Sequence, residues 1–136
     1  MHVEPWNAST HVPNLLQWAG KDEGITQLLG HAITDEVVHS TMPYREVVVS
    51  EAGEMMAIIG FNLYGTGLAT MHVIPAPEHR KMKTLDDVFS LLTEKAKEAG
   101  AKVGFLVLST TDRAMQEIAR RHGYNTVPTV QMVKVF

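Results

Sequence analysis

The chain has 136 residues, 45% of them hydrophobic and 20% charged, and a formal net charge of -3. That length and balance read as one domain, residues 1–136, able to bury a real core, and exclude a disordered polymer. The acidic balance argues against a nucleic-acid partner bound through a basic surface, and the absence of cysteine excludes disulfides, thiolate metal sites and thiol nucleophiles.

Met1-His-Val-Glu-Pro-Trp6 lacks the basic and apolar regions of a secretory signal. The most apolar region, Met55 to Ile74, is broken by Asn62, Tyr64-Gly-Thr-Gly67 and His72, so it reads as two strands around a turn. A membrane-spanning helix needs about 20 apolar residues in a row. No membrane association is expected, and the expected location is the cytoplasm.

Met1 to Pro5 reads as a short first strand, with the proline tolerated at its end. Ser9, Thr10 and Pro13 mark a helix start, with the proline near the first helical position. Leu15, Leu16, Trp18 and Ala19 supply its apolar face and Gly20 its stop. A second helix is expected from Ile25 to about Val38, with Ile25, Leu28, Leu29, Ala32 and Ile33 inward. His31, Asp35 and His39 then fall on one face, where a solvated stripe is favoured over a metal site because no fourth ligand is evident.

Arg45 to Ser50 and Met55 to Leu63 form a hairpin across Glu51-Ala-Gly-Glu54, and Tyr64-Gly-Thr-Gly67 turns into a fourth strand, Leu68 to Ile74. Leu85, Val88, Phe89, Leu92, Ala96 and Ala99 give the next helix its inner face. Thr84 with Asp87 resembles a capping box at its start, and Gly100 is its stop. Val103 to Leu108, apolar on both alternating sets, predicts a fifth strand covered on both faces. A last helix, capped by Thr111 or Asp112, turns Ala114 or Met115, Ile118 and His122 inward and stops at Gly123. Pro128 to Phe136 alternates well enough for a final strand. The fold class is α/β, a mixed and mostly antiparallel sheet in which the helix-connected fourth and fifth strands run parallel.

Val73-x-Pro75, the basic loop around Arg80, the helix to Gly100, the strand to Leu108 and the closing Ala-Arg-Arg-His-Gly-Tyr124 resemble the GNAT superfamily of acyl-CoA N-acyltransferases in order and spacing. The resemblance covers about Arg45 to Phe136. It implies a parallel, splayed fourth and fifth strand pair and an acetyl-CoA or other acyl-CoA cofactor. Backbone at Met71, His72, Val73 and Ile74 would pair with pantetheine. Arg80, Lys81, Lys83 and Thr84 would hold phosphates at the helix mouth, and Asp112 stands where the family has an asparagine. His72 is the candidate general base, although a core or edge histidine with a satisfied hydrogen bond is the favoured reading.

The chain departs from the family where chemistry is concentrated. No glycine lies between Glu78 and Leu85, where the family loop reads Arg/Gln-x-x-Gly-x-Gly/Ala. Asp86 and Asp87 are expected in the first helical turn, opposing an anion. Ala119 occupies the place of a tyrosine that protonates the leaving thiolate. Two functions follow: an acyltransferase of slow or absent activity on an unknown amine, or a non-catalytic interaction protein on the same fold, with a protein partner or a homo-oligomer. Short phage proteins with eroded loops, including virion-associated ones, are similar in layout. A ferredoxin-like ligand-sensing domain is the weaker third reading.

Overall fold

A computed structural model describes residues 1–108, 111–130 and 132–136. Strand β1 (His2–Pro5) is followed by helices α1 (Ala8–Ala19), α2 (Glu23–Leu29) and α3 (Asp35–Thr41). Strands β2 (Tyr44–Val49), β3 (Met55–Tyr64) and β4 (Leu68–Pro75) come next, then a 3-10 turn at Pro77–His79. Helix α4 (Met82–Glu98), strand β5 (Val103–Leu106) and helix α5 (Arg113–Arg121) complete the order. The strands lie in the order β1-β2-β3-β4-β5. The first three pairs are antiparallel, and β4 pairs with β5 in parallel from Leu68↔Val103 to Met71↔Leu106.

Strand periodicity divides the core between the two faces of this sheet. Ile58 and Ile74 point to one face, where Leu15, Trp18, Ile25, Leu29, Val38 and Met42 from α1–α3 and the loop after them cover them. Ala57, Ile59, Phe61, Ala69 and Met71 point to the other, against Val88, Leu92 and Ala96 at successive i, i+4 positions of α4. Leu85 and Phe89 of α4 pack instead on Met115, Ile118 and Ala119 of α5, fixing that helix beside the start of α4.

The expected helix from Ile25 to Val38 is two helices. Gly30 adopts φ +81°, a conformation that ends α2, and the Thr34 hydroxyl accepts the Val37 amide at 3.3 Å to start α3. His31 therefore lies outside the helix carrying Asp35 and His39, and the three do not form one helical stripe. The first helix starts at an Asn7 cap, so Pro13 lies within it instead of near its first position, and Leu16 faces solvent. Trp18 is buried, whereas Trp6 packs at the rim of the core and donates from Nε1 to Asp35 at 2.8 Å.

Helix α4 begins two residues before Thr84, with Lys81 as an N-cap whose side chain makes no capping hydrogen bond. There is no Thr84–Asp87 capping box. Asp86 and Asp87 are the fifth and sixth helical residues, not members of the first turn. Strand β5 is also shorter and more open than expected. Its Val103 and Phe105 side chains are exposed, because β5 is the sheet edge and the N-terminal helices do not extend over it.

Among the described residues, no strand follows α5. The expected final strand at Pro128 to Phe136 is unpaired, and Gln131 lies outside the described residues. Val130, Met132, Val133, Val135 and Phe136 are exposed. Alternation records a preference for strand conformation, and β propensity without a pairing partner builds no ladder.

Candidate functional site

Three features meet at the C-terminal end of β4. The first is a free strand edge. The Ala76 amide donates to the Met56 carbonyl at 2.8 Å, and the β3–β4 register then turns Ile74 and His72 toward β3. By alternation, the Val73 amide and carbonyl face the opposite side. Pairing with β5 has already ended at Met71↔Leu106, whereas β4 continues to Pro75. The parallel pair is thus open at its C-terminal end, with the polar backbone of Val73 directed into the opening.

The second feature is the mouth of α4. The Leu85 amide, bonded to the Lys81 carbonyl at 3.0 Å, is the first to enter the helical ladder. The amides of Met82, Lys83 and Thr84 lack intrahelical partners, as at any helix start, and the N-cap Lys81 side chain does not cap them. A 17-residue helix concentrates partial positive charge there. Lys81 and Lys83 are exposed beside these amides, and neither makes an ion pair among the described residues. Asp86 is engaged by the residue after α5, accepting from His122 Nε2 at 2.7 Å.

The third feature is Arg80, whose guanidinium is held by two helix caps. Nη2 donates to Asp112 Oδ2 at 2.6 Å and Nη1 lies 3.5 Å from Asp22 Oδ2. Asp112 caps α5 by accepting the Met115 amide at 3.2 Å, and Asp22 caps α2 by accepting the Gly24 amide at 2.9 Å. Arg80 therefore ties the starts of α2 and α5 to the loop before α4. Of the three basic residues expected on phosphate, the structure leaves Lys81 and Lys83 uncommitted and engages Arg80 with protein carboxylates. Asp112 is likewise occupied on both oxygens.

His72 is buried in β4, and burial lowers its pKa from the ordinary value near 6.5. Its Nδ1 has no hydrogen-bond partner among the described residues, so the satisfied hydrogen bond expected of a core histidine is not found at that atom. Its side chain projects to the face opposite Met71. Met71 is packed tightly over β5, where a Cβ at Gly104 would collide with its sulfur. The Tyr124 hydroxyl donates to the same sulfur at 3.4 Å. Burial pushes the Tyr124 hydroxyl above the usual phenol range, and the Thr93 hydroxyl acts in the opposite direction.

Asp22, His122 and Tyr124 went unassigned to the site from sequence. Asp22 has a legible capping position, but its partner Arg80 lies far along the chain, beyond three strands. Only folding reveals that pairing. Ala119 is buried between α4 and α5. Two hollows lie away from the β4/β5 opening. One, of about 440 Å³, is lined by Tyr44, Phe61, Leu92 and Lys95, and the other, about 330 Å³, by Trp18, Glu54 and His79.

A parallel β4/β5 pair that opens at its C-terminal end over an uncapped helix, within a sheet otherwise antiparallel, defines the acyl-CoA N-acyltransferase fold of the GNAT acetyltransferases. Solved structures match it over most or all of the chain. Wild-type TTHA1254 from Thermus thermophilus has a TM-score of 0.62 at 17% identity, covering 99% of this chain and 97% of that one. Glucosamine-6-phosphate N-acetyltransferase from Arabidopsis thaliana gives 0.64 at 16%, covering 99% and 97%. A GNAT-family acetyltransferase from Staphylococcus aureus gives 0.66 at 11%, covering 90% and 82%. These identities establish likeness of fold. No family model and no curated protein matches the sequence.

Proposed function

We propose that the chain is a single-domain acyl-CoA-binding protein of the N-acyltransferase class, with slow or absent transfer to an amine. The observation that carries this reading is the free Val73 edge opening over the α4 mouth. An amide and a carbonyl there have the polarity to pair with a pantetheine arm, while the amides of Met82, Lys83 and Thr84 offer an anion site one loop away. Lys81 and Lys83 add exposed cations. The residues therefore fit an acyl-CoA, although side chains replace the glycines that would allow closer approach.

An acyl-CoA, when bound, supplies an activated thioester carbonyl. The chain contributes positioning, and His72, whose Nδ1 is unpartnered among the described residues and whose pKa burial lowers, is the candidate proton acceptor one residue from the Val73 edge. Calorimetric titration with acetyl-CoA tests the reading. One-to-one binding is expected, and no heat up to millimolar ligand would reject it.

A second reading, a non-catalytic interaction protein on the same fold, of the kind found in some virions, is favoured by Ala119 and by the engagement of Arg80. Ala119 offers no proton to a leaving thiolate. Assaying CoA release with a simple amine separates the two: brisk turnover would exclude both this reading and the eroded site.

A further inference from the structure

We infer that the hollow between β2 and the end of α4 is a binding site for a small organic ammonium ion carrying a flat apolar group, separate from the β4/β5 opening. The hollow, about 440 Å³, has room for such a molecule. It exists because α4 packs chiefly over β3 and β4, leaving Tyr44 and Glu46 of β2 beside the helix instead of beneath it. The helix contributes its last two turns to the lining. A 17-residue helix is about 25 Å long, so the hollow lies toward the opposite end of α4 from its mouth.

One wall is aromatic. Tyr44 and Phe61 are register partners on β2 and β3, and their rings stack at 5.1 Å with 7° between the planes. Phe61 is buried, whereas Tyr44 is 52% exposed, so Phe61 covers one face of the phenol ring and leaves the outer face and rim bare. Buried Ile59 and Leu92 form an apolar floor. The negative face of an aromatic ring attracts a cation, and its apolar area takes a flat group.

The charge at the rim selects a cation. Glu46 and Lys95 pair at 3.6 Å and offset each other. Arg45 belongs to the wall, but its guanidinium is drawn to Asp35 at 3.8 Å and to the Met42 and Pro43 carbonyls. Glu98 makes no ion pair or hydrogen bond among the described residues, so its carboxylate is the uncompensated charge of the hollow. The helix end has the same sign. The Lys102 and Val103 amides, which would continue the ladder, both donate to the Gly67 carbonyl, so the Glu98 and Ala99 carbonyls close α4 at its negative end without those partners. An aromatic face, a free carboxylate and a helix C-terminus thus converge on one hollow, and all three favour an ammonium ion over an anion.

Titration of the full chain with phenethylammonium, followed by amide NMR shifts, tests the inference. Binding in the millimolar range or tighter is expected, with shifts centred on Tyr44, Phe61 and Glu98, and with phenylpropionate about tenfold weaker or more. Glu98→Gln should weaken the ammonium about three- to fivefold, the scale of one exposed charge pair. Lys95→Met removes the hollow's own cation and releases Glu46, so it should tighten binding by a similar factor, and lost packing would not give these opposite signs. Equal binding of phenylpropionate, an affinity unmoved by Glu98→Gln, or no shift at any soluble concentration would overturn the inference. Shifts confined to Val73 and Lys81–Thr84 would also overturn it, while leaving the acyl-CoA reading standing.

Discussion

Arg80 and Asp112 meet at 2.6 Å, joining the loop before α4 to the cap of α5 across 32 positions of sequence. Both side chains are mostly shielded, and Asp22 lies on the other side of the guanidinium. This places Arg80 in the architecture of the opening, with Lys81 and Lys83 as its free cations. Replacing Arg80 with methionine should lower unfolding free energy by about 1.5–3 kcal/mol, the range for hydrogen bonds to charged groups. Urea denaturation measures it, and an unchanged midpoint would show that the clasp contributes nothing.

The two lysines should carry the ligand's salt dependence. Exposed charge pairs contribute up to about 1 kcal/mol each. Lys81→Ala with Lys83→Ala should therefore weaken acetyl-CoA about tenfold and flatten the dependence of affinity on ionic strength. Equal affinity and an equal salt slope in the double variant would remove the α4 mouth from the site.

Ala119→Tyr cannot simply restore a catalytic acid. Ala119 is packed among Leu85, Phe89, Met115 and Ile118, and its carbonyl holds the Tyr124 amide. Enlarging a packed residue typically costs about 1–3 kcal/mol. The variant should melt lower and release CoA no faster than the parent. A gain in turnover would show that a tyrosine there reaches an intact cleft.

His72 predicts a stability loss in acid. Its folded pKa lies below the ordinary value near 6.5, so in the window between them the unfolded chain binds the proton and the native chain does not. Stability is complete above about pH 6.5 and falls as pH drops through that window toward the lower folded value. His11, also lowered chiefly by burial, contributes with the same sign. His72→Gln should flatten the fall without abolishing it, as followed by urea midpoints from about pH 7 to 5. An unaltered slope would mean that His72 takes up its proton alike in the folded and unfolded chains.

The sheet was readable from residues because its cues are local. Val47, Val48 and Val49, the Glu51-Ala-Gly-Glu54 turn and the alternation of Leu68 to Ile74 each constrain only their neighbours, and all three strands formed within a residue or two of their expected bounds. The apolar spacing of Leu85, Val88, Phe89, Leu92 and Ala96 likewise determined which face of α4 is buried. That pattern does not locate a helix start, so α4 opened at Met82 and moved Asp86 and Asp87 out of its first turn.

What lay beyond the sequence was pairing between distant groups. That Arg80 serves Asp22 and Asp112, that Asp86 turns to His122, and that Met71 receives Tyr124 depend on how α2, α4 and α5 converge on β4. Val103 to Leu108 looked like a doubly covered strand because apolar composition records the preference for burial, not the presence of a cover. Composition and periodicity determined the elements and the class of fold. Tertiary structure decided which charges remain free, which strand edge stays open and which apolar faces have nothing against them, since each of those is a relation between segments.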